Sequence, residues 1–265
     1  MPDPVPNPLF APGLRALRRD RAAAIGPELV LLDRAFDDCL DRLLDIERGF
    51  DRALLIGSPS PAWPRRMARL CRSVETFDPG RRFATAAGGV SGEEDHHDFG
   101  QARFDLVIAI GTLDTVNDLP LALRKIRQSL RSDAPLLGAM AGGDSLASLR
   151  AAMIEADRAT GAIAARTHPR IDPASLAALL TAAGFAMPVV DVDRVRLRYS
   201  KLAGLVRDLR AMAATNILVD RAPGRGRDWA RLAAAAFAAT GDNGRIEERI
   251  DIVHFIAWAP QALKT

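Results

Sequence analysis

At 265 residues the chain is long enough for one large α/β core with insertions and short for two domains of ordinary size. Apolar residues make up 48% of it, yet no run approaches the roughly 18 consecutive apolar residues of a membrane-spanning helix, which excludes a transmembrane reading. The net charge is only +3, and the 36 Lys and Arg residues include just Lys125, Lys201 and Lys264 as lysine, so 33 are arginine; these alternate with Asp and Glu as on solvated, ion-paired helix faces, which argues against nucleic-acid binding.

The opening MPDPVPNPLF carries four prolines and an early acid and does not read as a secretory signal, so a cytoplasmic location is expected. From Leu14 to Arg48 the apolar residues Ile25, Leu29, Leu32, Phe36, Leu40, Leu43 and Leu44 recur mostly at three- and four-residue steps, which predicts amphipathic helices in an N-terminal extension over residues 1–50. Cys39 falls on one of these and Cys71 is read as helical too; two cysteines so placed do not suggest a disulfide framework and read as small core residues in a reducing compartment.

Residues 52–57 (RALLIG) form a short apolar run that ends on Gly57, followed by Ser58-Pro59-Ser60-Pro61 and a helix-like stretch from about Pro64 to Cys71: strand, turn, helix. Val74 to Asp78 reads as a second strand. The run FDLVIAI from Phe104 to Ile110 reads as a strand covered on both faces, a helix follows with Leu123, Ile126 and Leu130 along one side, and Pro135 to Met140 is a further buried strand. Strands and helices alternating at this spacing predict a doubly wound, mainly parallel sheet.

After Met140 a helix is expected from Ser145 to about Ala159, then a loop with His168-Pro169. A second helix follows, with Asp172 as N-cap, Pro173 at its first position and Gly184 as its stop. Pro188 to Tyr199 and Ile246 to Trp258 read as long strands, separated by helical material from Leu202 to Ala239 that includes a GRGR turn. They suit an antiparallel pair at one sheet edge.

Ligands of doubly wound sheets bind at the carboxyl ends of the strands, where strand order reverses, so the first strand-to-helix turn is the place to look. Here that turn keeps one glycine, Gly57, where a nucleotide site would carry several. Asp78 ends the second strand roughly 20 residues later, the separation that sets a carboxylate on ribose hydroxyls, although Asp78-Pro79-Gly80 is also a good turn sequence.

Several segments then carry a resemblance: Phe104-Asp105-Leu106-Val107, Val116-Asn117-Asp118-Leu119-Pro120, Gly138-Ala139-Met140, Gly142-Gly143-Asp144-Ser145-Leu146, HPRIDPASLAALLTAAGF and RYSKLAGLVRDLRAMAATN. Together they make the chain, from about Leu17 to Pro260, resemble the class I S-adenosylmethionine (SAM) methyltransferases. The similar branch holds the malonyl-carrier-protein methyltransferase of biotin synthesis and a mitochondrial complex I assembly factor that hydroxylates arginine.

The resemblance implies a Rossmann-like methyltransferase domain over residues 51–265 with helical insertions about 143–170 and 200–243, and a protein or carrier-bound substrate. It also implies a SAM site made by Gly57 and Ser58, Asp78, Glu93 with Glu94, and Ile110 with Gly111; it names no catalytic residue. Pro59 and Pro61 stand where the family turn carries glycines, and proline has no N–H to offer a ligand. Leu113-Asp114-Thr115 replaces the aromatic or His-Trp pair that is common after the fourth strand.

These departures favour a non-catalytic assembly or binding protein as the alternative, with arginine hydroxylation as a third. Asp95-His96-His97-Asp98 has a spacing that suits an iron site but lies in a polar loop, and no metal site is assigned. His254 reads as a core histidine, Trp63 as a ring over a helix start, and Arg221, Arg225 and Arg227 around Pro223-Gly224 as an exposed basic loop.

Overall fold

The computed structural model describes residues 7–161, 164–221 and 226–261. Two helices, α1 (Pro12–Ile25) and α2 (Val30–Leu44), precede the alternating unit β1 (Phe50–Ile56), α3 (Ala62–Met67), β2 (Cys71–Asp78), α4 (Arg81–Ala86), β3 (Val90–Ser91), β4 (Leu106–Ile110), α5 (Leu119–Ser129) and β5 (Pro135–Gly142). Then come α6 (Ala147–Ala159), α7 (Pro173–Ala182), β6 (Ala186–Tyr199), α8 (Leu202–Ala211), α9 (Arg227–Ala239) and β7 (Ile246–Trp258).

The strands form one seven-stranded sheet in the order β3-β2-β1-β4-β5-β7-β6. The first five are parallel, and β7 enters antiparallel between β5 and the edge strand β6. Strand order reverses between β1 and β4, as in other doubly wound sheets.

All five residues of β4 are buried, because helices cover both of its faces. On one face Leu31, Phe36, Cys39 and Leu43 of α2 pack over Leu55, Ile108, Ile110 and Leu137. On the other, Leu123 and Ile126 of α5 with Leu176 and Leu180 of α7 pack over Val107, Leu136 and Phe255. Each such fully buried aliphatic side chain contributes about 1.5–3 kcal/mol. The helix start read from sequence at Asp172 is there, its carboxylate accepting from Ser175 N; Asp118 caps α5 in the same way, accepting from Leu121 N.

Some boundaries move, each for a physical reason. Cys71 opens β2 instead of closing a helix, because the pairing Phe50↔Cys71 draws residues 71–73 into the sheet. The short helix α4 and strand β3 carry too little periodicity to be read from sequence, and β3 exists through its pairing with Phe77 and Asp78. A bulge at Met187 and Pro188 lets β6 begin at Ala186, which is where a strand tolerates proline. Ile25 and Leu44, counted as apolar-face residues, are exposed. Arg225, with Pro223 and Gly224, lies outside the described residues.

Candidate functional site

The cleft sits at the carboxyl ends of β1, β2 and β4. Gly57 leaves β1 with φ +78°, and its N–H donates to Phe77 O at 2.8 Å. A Cβ there would stand 2.1 Å from Ile110 O, so the close approach of the first turn to the end of β4 requires glycine whatever the turn binds.

Asp78 is fully buried at the end of β2. Its carboxylate accepts from Ser58 N at 2.9 Å and Gly80 N at 2.7 Å, the turn use that Asp-Pro-Gly suggests. The same two oxygens accept from Arg19 Nε, at 2.7 Å, and Arg19 Nη2, a bidentate guanidinium–carboxylate pair. The Arg19 guanidinium also lies over the Phe83 ring, 5.2 Å from its centre.

One helical turn earlier on α1, Arg15 fills the neighbouring part of the cleft. Its Nη1 donates to Glu93 Oε2 and, at 2.7 Å, to Glu94 Oε2; its Nη2 donates to Glu94 Oε1 at 3.0 Å and Thr112 O at 2.8 Å, and its Nε to Thr115 Oγ1 at 3.1 Å. Burial works to lower the Arg15 pKa, but the charges and hydrogen bonds of Glu94 and then Glu93 outweigh it and raise the pKa above the ordinary arginine value. Burial works to raise the pKa of Glu94, and the Arg15 charge outweighs it and holds that carboxyl below its usual value. For Glu93 burial prevails and the pKa is raised.

The position of α1 is built into the chain around it. Gly80 carries no side chain where a Cβ would come 2.6 Å from Arg19 Cβ, so the helix backs directly onto the β2 turn. Ahead of α1, the Asn117 side chain clasps the backbone of Phe10, accepting from Phe10 N at 2.8 Å and donating to Phe10 O at 2.9 Å. Ala11 N donates to Ile217 O at 2.9 Å.

All seven residues singled out from sequence, Gly57, Ser58, Asp78, Glu93, Glu94, Ile110 and Gly111, therefore converge on one cleft. Gly111, with φ +65°, faces Leu32 of α2, whose Cδ2 would be 2.8 Å from a Cβ. Sequence reading missed Arg15, Arg19 and Asn117. The arginines escaped because α1 inverts the usual pattern: Arg15, Arg19 and Ala22 are its buried residues while Leu17 and Ile25 face solvent.

In this arrangement the groups expected to take the adenosyl cofactor are already engaged. Both oxygens of Asp78 and of Glu94 already accept from arginines, the guanidiniums stand between α1 and the strand ends, and Pro59 and Pro61 remove two of the N–H donors at the first turn.

Other candidates have structural roles. Asp95 accepts from Asp118 N at 3.1 Å, Asp98 from Gly100 N at 2.8 Å, and His97 packs between Phe77 and Phe99. Among the described residues no group of three or more His, Cys, Asp or Glu is placed to hold a metal ion. Trp63 stacks on Phe36 with ring centres 4.4 Å apart and donates to Asp33. His254 is buried on β7 with Nδ1 2.9 Å from Asp38. Asp114 pairs with Arg170 at 2.9 Å.

A parallel sheet that reverses order at β1/β4, an antiparallel β7 inserted beside β5 and a cleft between Gly57 and Asp78 define a class I methyltransferase fold. The methyltransferase-domain family model matches residues 31–188, and the chain belongs to that family. It is 33% identical over 231 residues to arginine-hydroxylase NDUFAF5, mitochondrial, of Danio rerio, covering 83% of this chain and 72% of that one. It is 32% identical over 184 residues to malonyl-[acyl-carrier protein] O-methyltransferase of Laribacter hongkongensis, covering 69% of this chain and 60% of the relative. Among solved structures, the N-methyltransferase NodS of Bradyrhizobium japonicum in complex with S-adenosyl-L-homocysteine superposes with TM-score 0.53 at 14% identity, covering 94% and 100% of the two chains.

Proposed function

We propose that this chain is a methyltransferase-fold protein that works by binding a protein or carrier-bound partner, without using SAM, because its own helix α1 occupies the cofactor cleft. The observation that carries this reading is the pair of buried arginines, Arg15 on Glu94 and Arg19 on Asp78. Guanidiniums so bound are costly to displace, since a carboxylate stripped of its partner in a buried site is strongly destabilised. The free, buried thiols of Cys39 and Cys71 agree with a reducing compartment such as the cytoplasm, and no helix among the described residues is long and apolar enough to cross a membrane.

The test is calorimetric titration of the purified, ligand-stripped protein with SAM and with S-adenosylhomocysteine. No heat of binding at millimolar ligand, with the protein folded, is expected; micromolar binding of either would overturn the reading.

A second reading has its own support. The sheet, Asp78 and the relatives named as methyltransferases favour SAM-dependent methyl transfer to a protein or carrier-bound acceptor, which on this geometry requires α1 to leave the cleft. Micromolar SAM binding would select it. An arginine substrate, as the other relative's name describes, fits less well: Asp114, the acid on the lining of the cavity next to Gly111, is already held by Arg170.

A further inference from the structure

Beyond Gly111, between the ends of β4 and β5 and helices α2 and α8, the packing leaves a cavity of about 120 Å³. Its walls are aliphatic, with Leu31, Leu209, Met212, Ile217, Ile250 and Ile252 around it, and small residues of β5, Ala139 and Ala141, keep one side open. A cavity in such a core forgoes the contacts that closer packing would give.

The polar groups on the same cavity are lopsided. Arg170 pairs with Asp114 through Nη1 alone, and its Nε and Nη2 donate to no acceptor among the described residues. Arg19 engages Asp78 through Nε and Nη2, which leaves Nη1 likewise. His168 accepts from Ile217 N through Nε2 at 3.0 Å, so the neutral ring carries its proton on Nδ1 as a third donor. Burial, foremost, lowers its pKa to about 4 and keeps it neutral at physiological pH. Against these donors Asp114 is the one acid on the lining, and it is held by Arg170.

We infer that this cavity is a binding site for a small amphiphilic carboxylate, its apolar tail among the aliphatic walls and its carboxylate on the free edge of Arg170. An apolar pocket with a few directed donors is the usual form of a small-molecule site, and a guanidinium edge matches a carboxylate through two parallel hydrogen bonds. A cationic head meets no free carboxylate on the lining, since Asp114 is held by Arg170, and a neutral head gains only one ordinary hydrogen bond. The inference does not depend on whether SAM binds.

The experiment is calorimetric titration of the full chain with sodium octanoate, octan-1-ol and octylammonium. Octanoate binds saturably with one site per chain, octan-1-ol at least about tenfold more weakly, a difference of about 1.4 kcal/mol, and octylammonium not at all. Arg170→Gln weakens octanoate about tenfold and leaves octan-1-ol unchanged, and Met212→Trp, which fills the cavity, abolishes binding of both. Equal affinity for acid and alcohol, octanoate binding that survives Met212→Trp in the folded protein, or no saturable octanoate binding would each overturn the proposal. If Arg170→Gln does not fold, the three head groups on the wild-type chain still decide it. Octanoate binding together with micromolar SAM binding would sink the cofactor-free reading alone, whereas neither ligand binding would sink this inference alone.

Discussion

Arg19 and Asp78, 59 positions apart, meet as a bidentate pair in which the aspartate is fully buried and the arginine nearly so. The carboxylate that ends the second strand of this fold, and that spacing assigns to a ribose, is here the anchor of the chain's own N-terminal helix. Backbone N–H groups of Ser58 and Gly80 complete its coordination, so Asp78 ties together three segments: α1, the β1 turn and the β2 turn.

Removing one partner of such a pair leaves an uncompensated buried charge. Arg19→Ala is expected to lower the unfolding free energy by about 3–5 kcal/mol, while the charge-free combination Arg19→Met with Asp78→Asn recovers most of that loss. Urea unfolding of Arg19→Met, Asp78→Asn and the double variant measures the coupling directly. Additive effects would mean that the pair does not hold α1 in the cleft. Asp78→Ala should destabilise the fold in the absence of any cofactor, an outcome that a purely ribose-binding carboxylate would not give.

Gly57 offers a second way to separate folding from ligand binding. A methyl group there would collide with Ile110 O, and its φ of +78° is strained for any L side chain. Gly57→Ala is expected to cost about 3 kcal/mol or more, at about 2–4 °C of Tm per kcal/mol for a chain of this size. Differential scanning calorimetry checks it. An unchanged Tm would show that the first turn is slack and that Gly57 serves only a ligand.

The strands that build the cleft were legible because β4, β5 and the second half of β1 from Ala53 are apolar runs, the pattern of a strand covered on both faces. The cap Asp172 was legible because its chemistry is local. What closes the cleft was not. Arg15 and Arg19 look like two more solvated arginines among 33, and nothing within α1 distinguishes them; their burial follows from acids 59 to 79 positions away and from Gly80, which only the folded chain brings together. Asn117 lay within a segment that carried the family resemblance, but its clasp on Phe10 spans 107 positions and has no local signature.

His168 sets a pH dependence whose sign is fixed by its depressed pKa. The folded ring titrates near pH 4 against 6.5 for the exposed side chain, so the unfolded chain binds the proton more tightly. The contribution is therefore fully present above pH 6.5 and is lost as pH falls through the window towards 4. His97 and His254, also lowered chiefly by burial, act in the same direction, which makes the wild-type slope a sum. His168→Gln keeps an acceptor for Ile217 N and removes one proton from that sum. Urea denaturation at a series of pH values from 7 to 4 should show a shallower loss of stability in the variant, and parallel curves would mean that His168 does not titrate in this window.

The two cysteines report on whether α2 ever leaves the sheet. Cys39 lies in the interface between α2 and the strands and Cys71 at the start of β2, both buried. Burial, foremost, pushes their pKa values up to about 12 and about 11. At pH 8 the native chain then holds only on the order of one thousandth of its thiols, or fewer, as thiolate, the form that attacks disulfide reagents. Reaction with an aromatic disulfide should therefore proceed only through opening of the structure, with both thiols reacting at once in concentrated urea. Comparing Cys39→Ser with Cys71→Ser assigns each phase. A native Cys39 that reacted at the rate of a free peptide thiol would mean that α2 detaches readily and uncovers Gly111, over which Leu32 of α2 lies.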